Sequence, residues 1–410
     1  MTQFSCRACR TPLSRTFVDL GMSPLANSFV PMDKAEQGEV FYPLHTYVCE
    51  KCYLVQLGEF ETPEKIFSDE YAYFSSFSSS WLRHAEAYVA AMVERFGIGP
   101  DHHVAEVASN DGYLLQYFVQ RGVPVTGIEP AANCARAAQA KGVRTESTFF
   151  HARSAQVLAA TYGKADLMAA NNVLAHVPDI SDFVAGFREM LKPEGVVTFE
   201  FPHLARLIES AQFDTIYHEH FSYLALGPVR SILAAQGLRV FDVQELPTHG
   251  GSLRVFACHQ AASHVQTPAV DALLVAETAQ GLNDFAVYDA FADRVAEVKD
   301  ALLEFLIEAR RTGKRVAGYG APAKGNTLLN YCGVGPQHLA FTVDLNPVKQ
   351  NSFLPGVRIP VLSVEEITKQ KPDYLLILPW NLKDEIAGQM RHIREWGGRF
   401  VTAIPKLEVF

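Results

Sequence analysis

The chain has 410 residues, 48% of them hydrophobic, which is more than one core ordinarily serves and predicts two or three domains, each able to bury its own. A formal charge of −9 and the lack of any Lys/Arg run argue against a nucleic-acid surface, and no window approaches the roughly 20 uninterrupted apolar residues of a membrane span. With no charged segment and apolar stretch at its start, the protein is read as soluble and cytoplasmic; seven dispersed cysteines suit metal or redox chemistry better than a disulfide framework.

In chain order, the first feature is a double knuckle, Cys6-x-x-Cys9 and Cys49-x-x-Cys52. Each pair offers two thiolates to a tetrahedral ion, so a closed, structural four-cysteine zinc site is expected, clamping a small subdomain with little core of its own. An aromatic and Ser-rich stretch follows, from which Tyr71 could reach a cleft, and its Ser cluster caps an amphipathic helix over Trp81–Phe96.

From His103 to Gly142 the pattern is a nucleotide-binding beta-alpha-beta unit: strand 104–108, turn 109–112, helix 113–121, strand 125–128, then Glu129, which can accept from both hydroxyls of a ribose. Ala108 and Asn110 stand where a dinucleotide fingerprint has its first two glycines, and only Gly112 survives. Together with Glu106 on the strand, this disfavours a phosphate and fits S-adenosylmethionine, whose methionine end is cationic. A further strand, 166–170, delivers Asn171 and Asn172 at its C-terminal end, with His176 near the point of methyl transfer. A helix over 183–191, a turn at 192–195 and a strand over 196–201 complete a methyltransferase-like succession.

Tyr217-His218-Glu219-His220 places four ionisable groups in a row, and later stretches hold His249-Gly250-Gly251-Ser252-Leu253-Arg254 and Gly318-Tyr319-Gly320-Ala321-x-x-Lys324. The paired glycines at 250 and 251 permit close approach of backbone to a ligand, and the second glycine turn could bind a diphosphate through its main-chain N–H groups and Lys324. Between them, residues 269–313 read as helix.

These motifs together resemble the sugar C-methyltransferases that build branched deoxysugars, over almost the whole length. The resemblance implies an α/β protein with a zinc-binding domain (1–65), a central class I, Rossmann-like methyltransferase domain that binds S-adenosylmethionine (66–265) and a C-terminal Rossmann-like α/β domain that helps hold a nucleotide-linked sugar (266–410). It implies that Tyr71, His176, Tyr217, Glu219 and His220 line the active site, with His220 the base. The expected cofactor set is Glu106, Asn110, Asp111, Gly112, Glu129, Asn171 and Asn172, and the expected substrate set is His249, Ser252, Arg254, Gly320 and Lys324. The substrate is expected to be dTDP-linked and the protein a monomer or weak oligomer. O- or N-methyl transfer to a small molecule, NAD(P)-dependent oxidoreduction through the second glycine turn and a non-catalytic binding role are the rival readings.

In the expected chemistry His220 removes the proton beside a ketone, Glu219 positions it or raises its basicity, and Tyr217 or His176 donates to the enolate oxygen. A regular strand would point Tyr217 and Glu219 one way and His218 and His220 the other, so residues 217–220 are expected to form a loop at the cleft.

Overall fold

A computed structural model describes residues 4–62 and 74–410, which leaves Tyr71 outside the described residues. The first sixty residues give β1 (Arg15–Ser23), β2 (Val30–Pro31), β3 (Tyr42–Val48) and β4 (Val55–Leu57). Along β3 the buried Leu44, Thr46 and Val48 alternate with partly exposed neighbours, as a half-covered antiparallel strand requires.

The middle of the chain supplies the parallel strands β5 (Val104–Val107), β6 (Val125–Ile128), β7 (Thr145–Glu146), β8 (Ala165–Asn171) and β9 (Leu191–Pro202). After β10 (Ser222–Tyr223) comes the antiparallel hairpin β11 (Leu238–Leu246) and β12 (Ser252–His259), and the sheet order is β11-β12-β9-β8-β5-β6-β7. All four residues of β5 and of β6 are buried, as strands covered on both faces require, with Glu106 and Thr126 the polar residues among them. The order of strands reverses between β5 and β8, and the crevice at such a switch point is where an open α/β sheet binds its ligand.

The helix Ser79–Phe96 starts as expected, with Ser78 Oγ accepting from Trp81 N at 3.2 Å, and Gly97 ends it at φ 63°. The helix after the first turn is shorter than expected, Leu115–Val119. Residues Lys192–Gly195, expected as a turn, form a bulge within β9: Leu191 pairs with Ala165, and pairing resumes at Val196 with Leu167.

The C-terminal sheet comprises β13 (Val316–Tyr319), β14 (Thr342–Val343), β15 (Ser352–Phe353), β16 (Pro360–Leu362), β17 (Tyr374–Ile377), β18 (Arg399–Thr402) and β19 (Glu408–Val409), in the order β19-β18-β17-β13-β14-β16-β15-β2. Strand pairing crosses both expected domain boundaries, since β2 adds to β15 of this sheet and β10 adds to β4 of the first. One hydrophobic core likewise spans the units. Phe17 stacks on Phe291 of the helix Phe291–Arg311 with centroids 4.4 Å apart, beside Leu44, Phe213, Ile216, Leu302 and Leu328. The first unit, too small for a core of its own, completes one on its neighbours. Among the described residues no helix is long and apolar enough to cross a membrane.

Candidate active site

The four Sγ atoms of Cys6, Cys9, Cys49 and Cys52 lie within 4.8 Å of one another, with Cys6–Cys52 at 3.6 Å and Cys9–Cys49 at 3.5 Å. A tetrahedron with Zn–S bonds of about 2.3 Å has edges of about 3.8 Å, so the set fits zinc. The two knuckles repeat one geometry. Arg10 N donates to Cys6 O and Tyr53 N to Cys49 O, both at 2.9 Å, and Arg10 and Tyr53 close the turns at φ 63° and 59°.

At the switch point the turn after β5 is left-handed at Ala108 (φ 58°), Asn110 (φ 47°) and Gly112 (φ 76°). The replacement of two fingerprint glycines has not relaxed the turn; it holds strained backbone where a ligand would sit. Glu129, closing β6, accepts from Asn110 N and Ala131 N at 2.9 Å, and each carboxylate oxygen keeps a lone pair for a further donor. Asn110 Oδ1 accepts from Ser75 N, and Asp111 pairs with Lys141 at 2.9 Å. Around them both oxygens of Glu106, Ser109 Oγ, Asp111 Oδ1, Asn171 Oδ1 and Asn172 Oδ1 are buried without a hydrogen-bond partner of good geometry among the described residues. Burial drives the Glu106 carboxyl well above its ordinary pKa, although Tyr113 lies beside it. Unmatched buried acceptors are rare in folded proteins and mark a place for a donor ligand. An acceptor-rich crevice of this kind fits the ammonium and sulfonium of S-adenosylmethionine.

Residues Tyr217–His220 form a β-turn, with His220 N donating to Tyr217 O at 2.9 Å, so the expected departure from strand geometry is found. His220 Nδ1 lies 2.7 Å from the carbonyl of Thr215 and must donate to it; Nε2 then accepts the Tyr217 hydroxyl at 2.9 Å. The group that orients His220 is therefore Thr215, and Glu219 does not touch its ring: Glu219 Oε1 accepts from Asn27 Nδ2. Both ring nitrogens of His220 are engaged by Thr215 and Tyr217 while Glu219 is engaged by Asn27, which corrects the expected His220–Glu219 pair. Burial, then the neighbouring His176 and Lys324, hold His220 well below its usual pKa, hence neutral. Burial lowers His176 to about 4 despite its bond to the Glu219 backbone, and its ring meets His220 edge-on at 4.6 Å. Burial raises Glu219 to about 7 against the pull of Asn27 and Lys349. His218 is buried and lies 3.2 Å from Pro43 O, to which Nε2 donates, fastening the turn to the first sheet.

Of the expected substrate residues, His249 faces the crevice, its Nε2 accepting from Asn172 Nδ2 at 3.3 Å. Ser252 and Arg254 are engaged elsewhere: Ser252 Oγ donates to Thr248 O at 2.9 Å, and Arg254 Nη2 to Glu200 Oε2 at 2.7 Å. Gly250 and Gly251 give room to the protein's own Trp380 and Arg206, not to a ligand, because a Cβ at either would overlap those side chains. In the second glycine turn the N–H groups of Gly318, Gly320 and Ala321 are all taken, by Phe341 O, Val343 O and Asp344 Oδ2. Main-chain binding of a diphosphate at those groups is thereby corrected. Lys324 reaches toward the cleft, donating to Asn381 Oδ1 at 2.8 Å and lying 4.7 Å over the Trp380 ring, whose Nε1 donates to Asp214.

A buried network went unread in the sequence. Glu200, at 0% exposure near the C-terminal end of β9, accepts from His84 at 2.9 Å, from Arg254 and from Thr248. Burial alone would raise its carboxyl; His84 and Arg254 outweigh it and hold Glu200 below the usual range. The signal was present in Val-Val-Thr-Phe-Glu-Phe, an acid ending a strand just as Glu129 does.

Residues 6–67 match a candidate zinc binding domain, residues 81–243 a methyltransferase domain and residues 247–405 the C-methyltransferase C-terminal domain. The chain is 39% identical to C-methyltransferase NovU from Streptomyces niveus over 98% of its own length and 96% of that protein. Among solved structures, magnesium protoporphyrin IX methyltransferase from Synechocystis PCC 6803 with bound SAH is 16% identical, covers 48% of this chain and 92% of that one, and has a TM-score of 0.36, too low to add to the domain match.

Proposed function

This chain belongs to the S-adenosylmethionine-dependent C-methyltransferases, and we propose that the carbon it methylates is C3 of a nucleotide-linked 4-keto-deoxysugar. When bound, the cofactor supplies an electrophilic methyl group on sulfonium. A ketone beside the target carbon makes its proton acidic enough for a side chain to remove and leaves an enolate as the carbon nucleophile. The observation that carries this reading is the Thr215–His220–Tyr217 chain: Nδ1 is held protonated by a carbonyl, so the basic lone pair of a neutral imidazole is fixed at Nε2. Sugar binding turns the Tyr217 hydroxyl from Nε2 to the developing O4 oxyanion, and Nε2 takes the C3 proton. His176, neutral at working pH, shields that face of His220.

We assign Glu106, Asn110, Asp111, Gly112, Glu129, Asn171 and Asn172 to the cofactor, Glu106 facing its cationic methionine end. Lys324 is assigned to the anionic diphosphate, which we take to be that of a dTDP-sugar. The test is incubation with labelled S-adenosylmethionine and a panel of nucleotide-linked 4-keto sugars, followed by NMR location of the new methyl group. A product methylated on oxygen or nitrogen ends the reading. His220→Ala lowers turnover about 10²–10⁴-fold and abolishes exchange of the C3 hydrogen with deuterated solvent, with cofactor affinity unchanged. A near-normal single-turnover rate in that variant would remove His220 from its role.

A further inference from the structure

Residues 24–39 run from the cysteine-bearing unit to the C-terminal one. Asn326 Nδ2 donates to the Ala26 carbonyl, and β2 pairs antiparallel with β15, Val30 opposite Phe353 and Pro31 opposite Ser352. Beyond β2, Glu39 pairs with Arg358, whose guanidinium also reaches the carbonyls of Ala35 and Gln37. The other end of the segment is held by β1, the edge strand of the first sheet. At the bend between these anchors, Ser28 N donates to Leu25 O at 3.1 Å and Phe29 N to Asn27 O at 3.0 Å. The Asn27 side chain leaves this bend and donates to Glu219 Oε1.

Three units thus meet at one carboxylate. Asn27 comes from the first, Glu219 sits in the turn of the second, and Lys349 of the third faces it through space while its Nζ donates to Ala321 O at 2.9 Å. Glu219 is 7% exposed, and its Oε2 takes no hydrogen bond from any described residue. A carboxylate anchored through one oxygen, the other taking no bond from a described residue, is an acceptor held ready for a donor. The donor that fits between a neutral amide and a lysine already bonded elsewhere is itself neutral, as the hydroxyl of a sugar ring is.

We propose that Asn27 is a positioning residue of the methyl-transfer site, acting through Glu219: its amide fixes Oε1 so that Oε2 is presented to a hydroxyl of the sugar. This rests on the sugar reading above. An amide suits the task because it cannot titrate, so the carboxylate keeps one orientation across the working pH range, whereas a lysine in its place would form an ion pair and compete with the sugar. The cysteine-bearing unit then contributes to the reaction itself, through the bend that β1 and β2 hold.

The test compares Asn27→Ala and Asn27→Asp, the second nearly isosteric, with the unaltered enzyme. KM for the nucleotide-linked 4-keto sugar that the enzyme accepts rises roughly tenfold or more in both, while calorimetric affinity for S-adenosylmethionine stays the same. The acidic limb of the kcat/KM profile moves to higher pH, further in Asn27→Asp, because Glu219 loses its donor and then faces a second carboxylate. The other groups that bear on Glu219 are Lys349, with Asp344 beside it, and the neutral His176 on its backbone, all unchanged by these substitutions. An unmoved KM and acidic limb overturn the proposal, as does an equal loss of cofactor affinity, which would mark Asn27 as merely structural. If the unaltered enzyme methylates no 4-keto sugar, the parent reading fails, and carbon-13 NMR of the Glu219 carboxyl still decides on Asn27: a rise in its pKa in Asn27→Asp supports the coupling and an unchanged titration ends it.

Discussion

After β5 and again after β13 the chain makes a strand-to-glycine turn, and each is followed by a second strand ending in an acid, Glu129 in one case and Asp344 in the other. Both acids accept from main-chain N–H groups of their turns. The surroundings differ. Around the first turn Glu106, Ser109, Asn171 and Asn172 bury oxygens that find no good partner among the described residues, and the turn itself carries strain at Ala108 and Asn110. Around the second, Gly318 N, Gly320 N and Ala321 N donate within 2.6–2.8 Å, and Lys349 Nζ caps the Ala321 carbonyl. A glycine turn becomes a ligand site where polar groups are left unmatched; where they are matched, it is a corner of the fold with function on its flanks, here at Lys324.

The largest effect that probes this contrast belongs to the second turn. Gly320 has φ 90°, and a Cβ there would come within 2.6 Å of Pro379 Cδ, so Gly320→Ala should destabilise by about 2–4 kcal/mol in denaturant unfolding, with the affinity of the folded protein for S-adenosylmethionine unchanged. At the first turn, Glu106→Gln should weaken S-adenosylmethionine by about 1.5–3 kcal/mol in calorimetry and leave thermal stability equal or higher, because a buried carboxyl gives way to an amide of the same shape that never ionises. Asp344→Ala orphans Ala321 N and should cost about 1–3 kcal/mol of stability; a fall in cofactor affinity instead would break the contrast and make the second turn a cofactor site.

The smallest signal is in pH. Glu106 is raised in the free enzyme, and a bound cation favours its carboxylate, so below the raised pKa cofactor binding must expel a proton. Affinity should therefore climb as pH rises toward that pKa, with proton release visible as a buffer-dependent binding enthalpy. Glu106→Gln should flatten both.

The parts of the site legible in the sequence were those written in short spans. Cys6 and Cys9, or Cys49 and Cys52, declare their purpose within four residues. The turn at Tyr217–His220 followed from the conflict between strand alternation and a convergent acid/base set. What stayed hidden joins distant segments: His84 to Glu200 across 116 positions, Arg254 to Glu200 across 54 and Asn27 to Glu219 across 192. The Thr215 carbonyl was hidden for another reason, since any residue carries one and only the path of the backbone selects which meets His220 Nδ1.

By itself the sequence determined the zinc ligands, the α/β succession and the kind of chemistry, because cysteine spacing, apolar periodicity and turn composition are local and act through the chain's own covalent geometry. The tertiary structure alone decided which polar groups are matched and which are left open. That depends on what each buried donor or acceptor meets from far along the chain, and it separates Glu106 and Glu219, each with an oxygen to offer, from Ser252 and the second glycine turn, whose partners are already found.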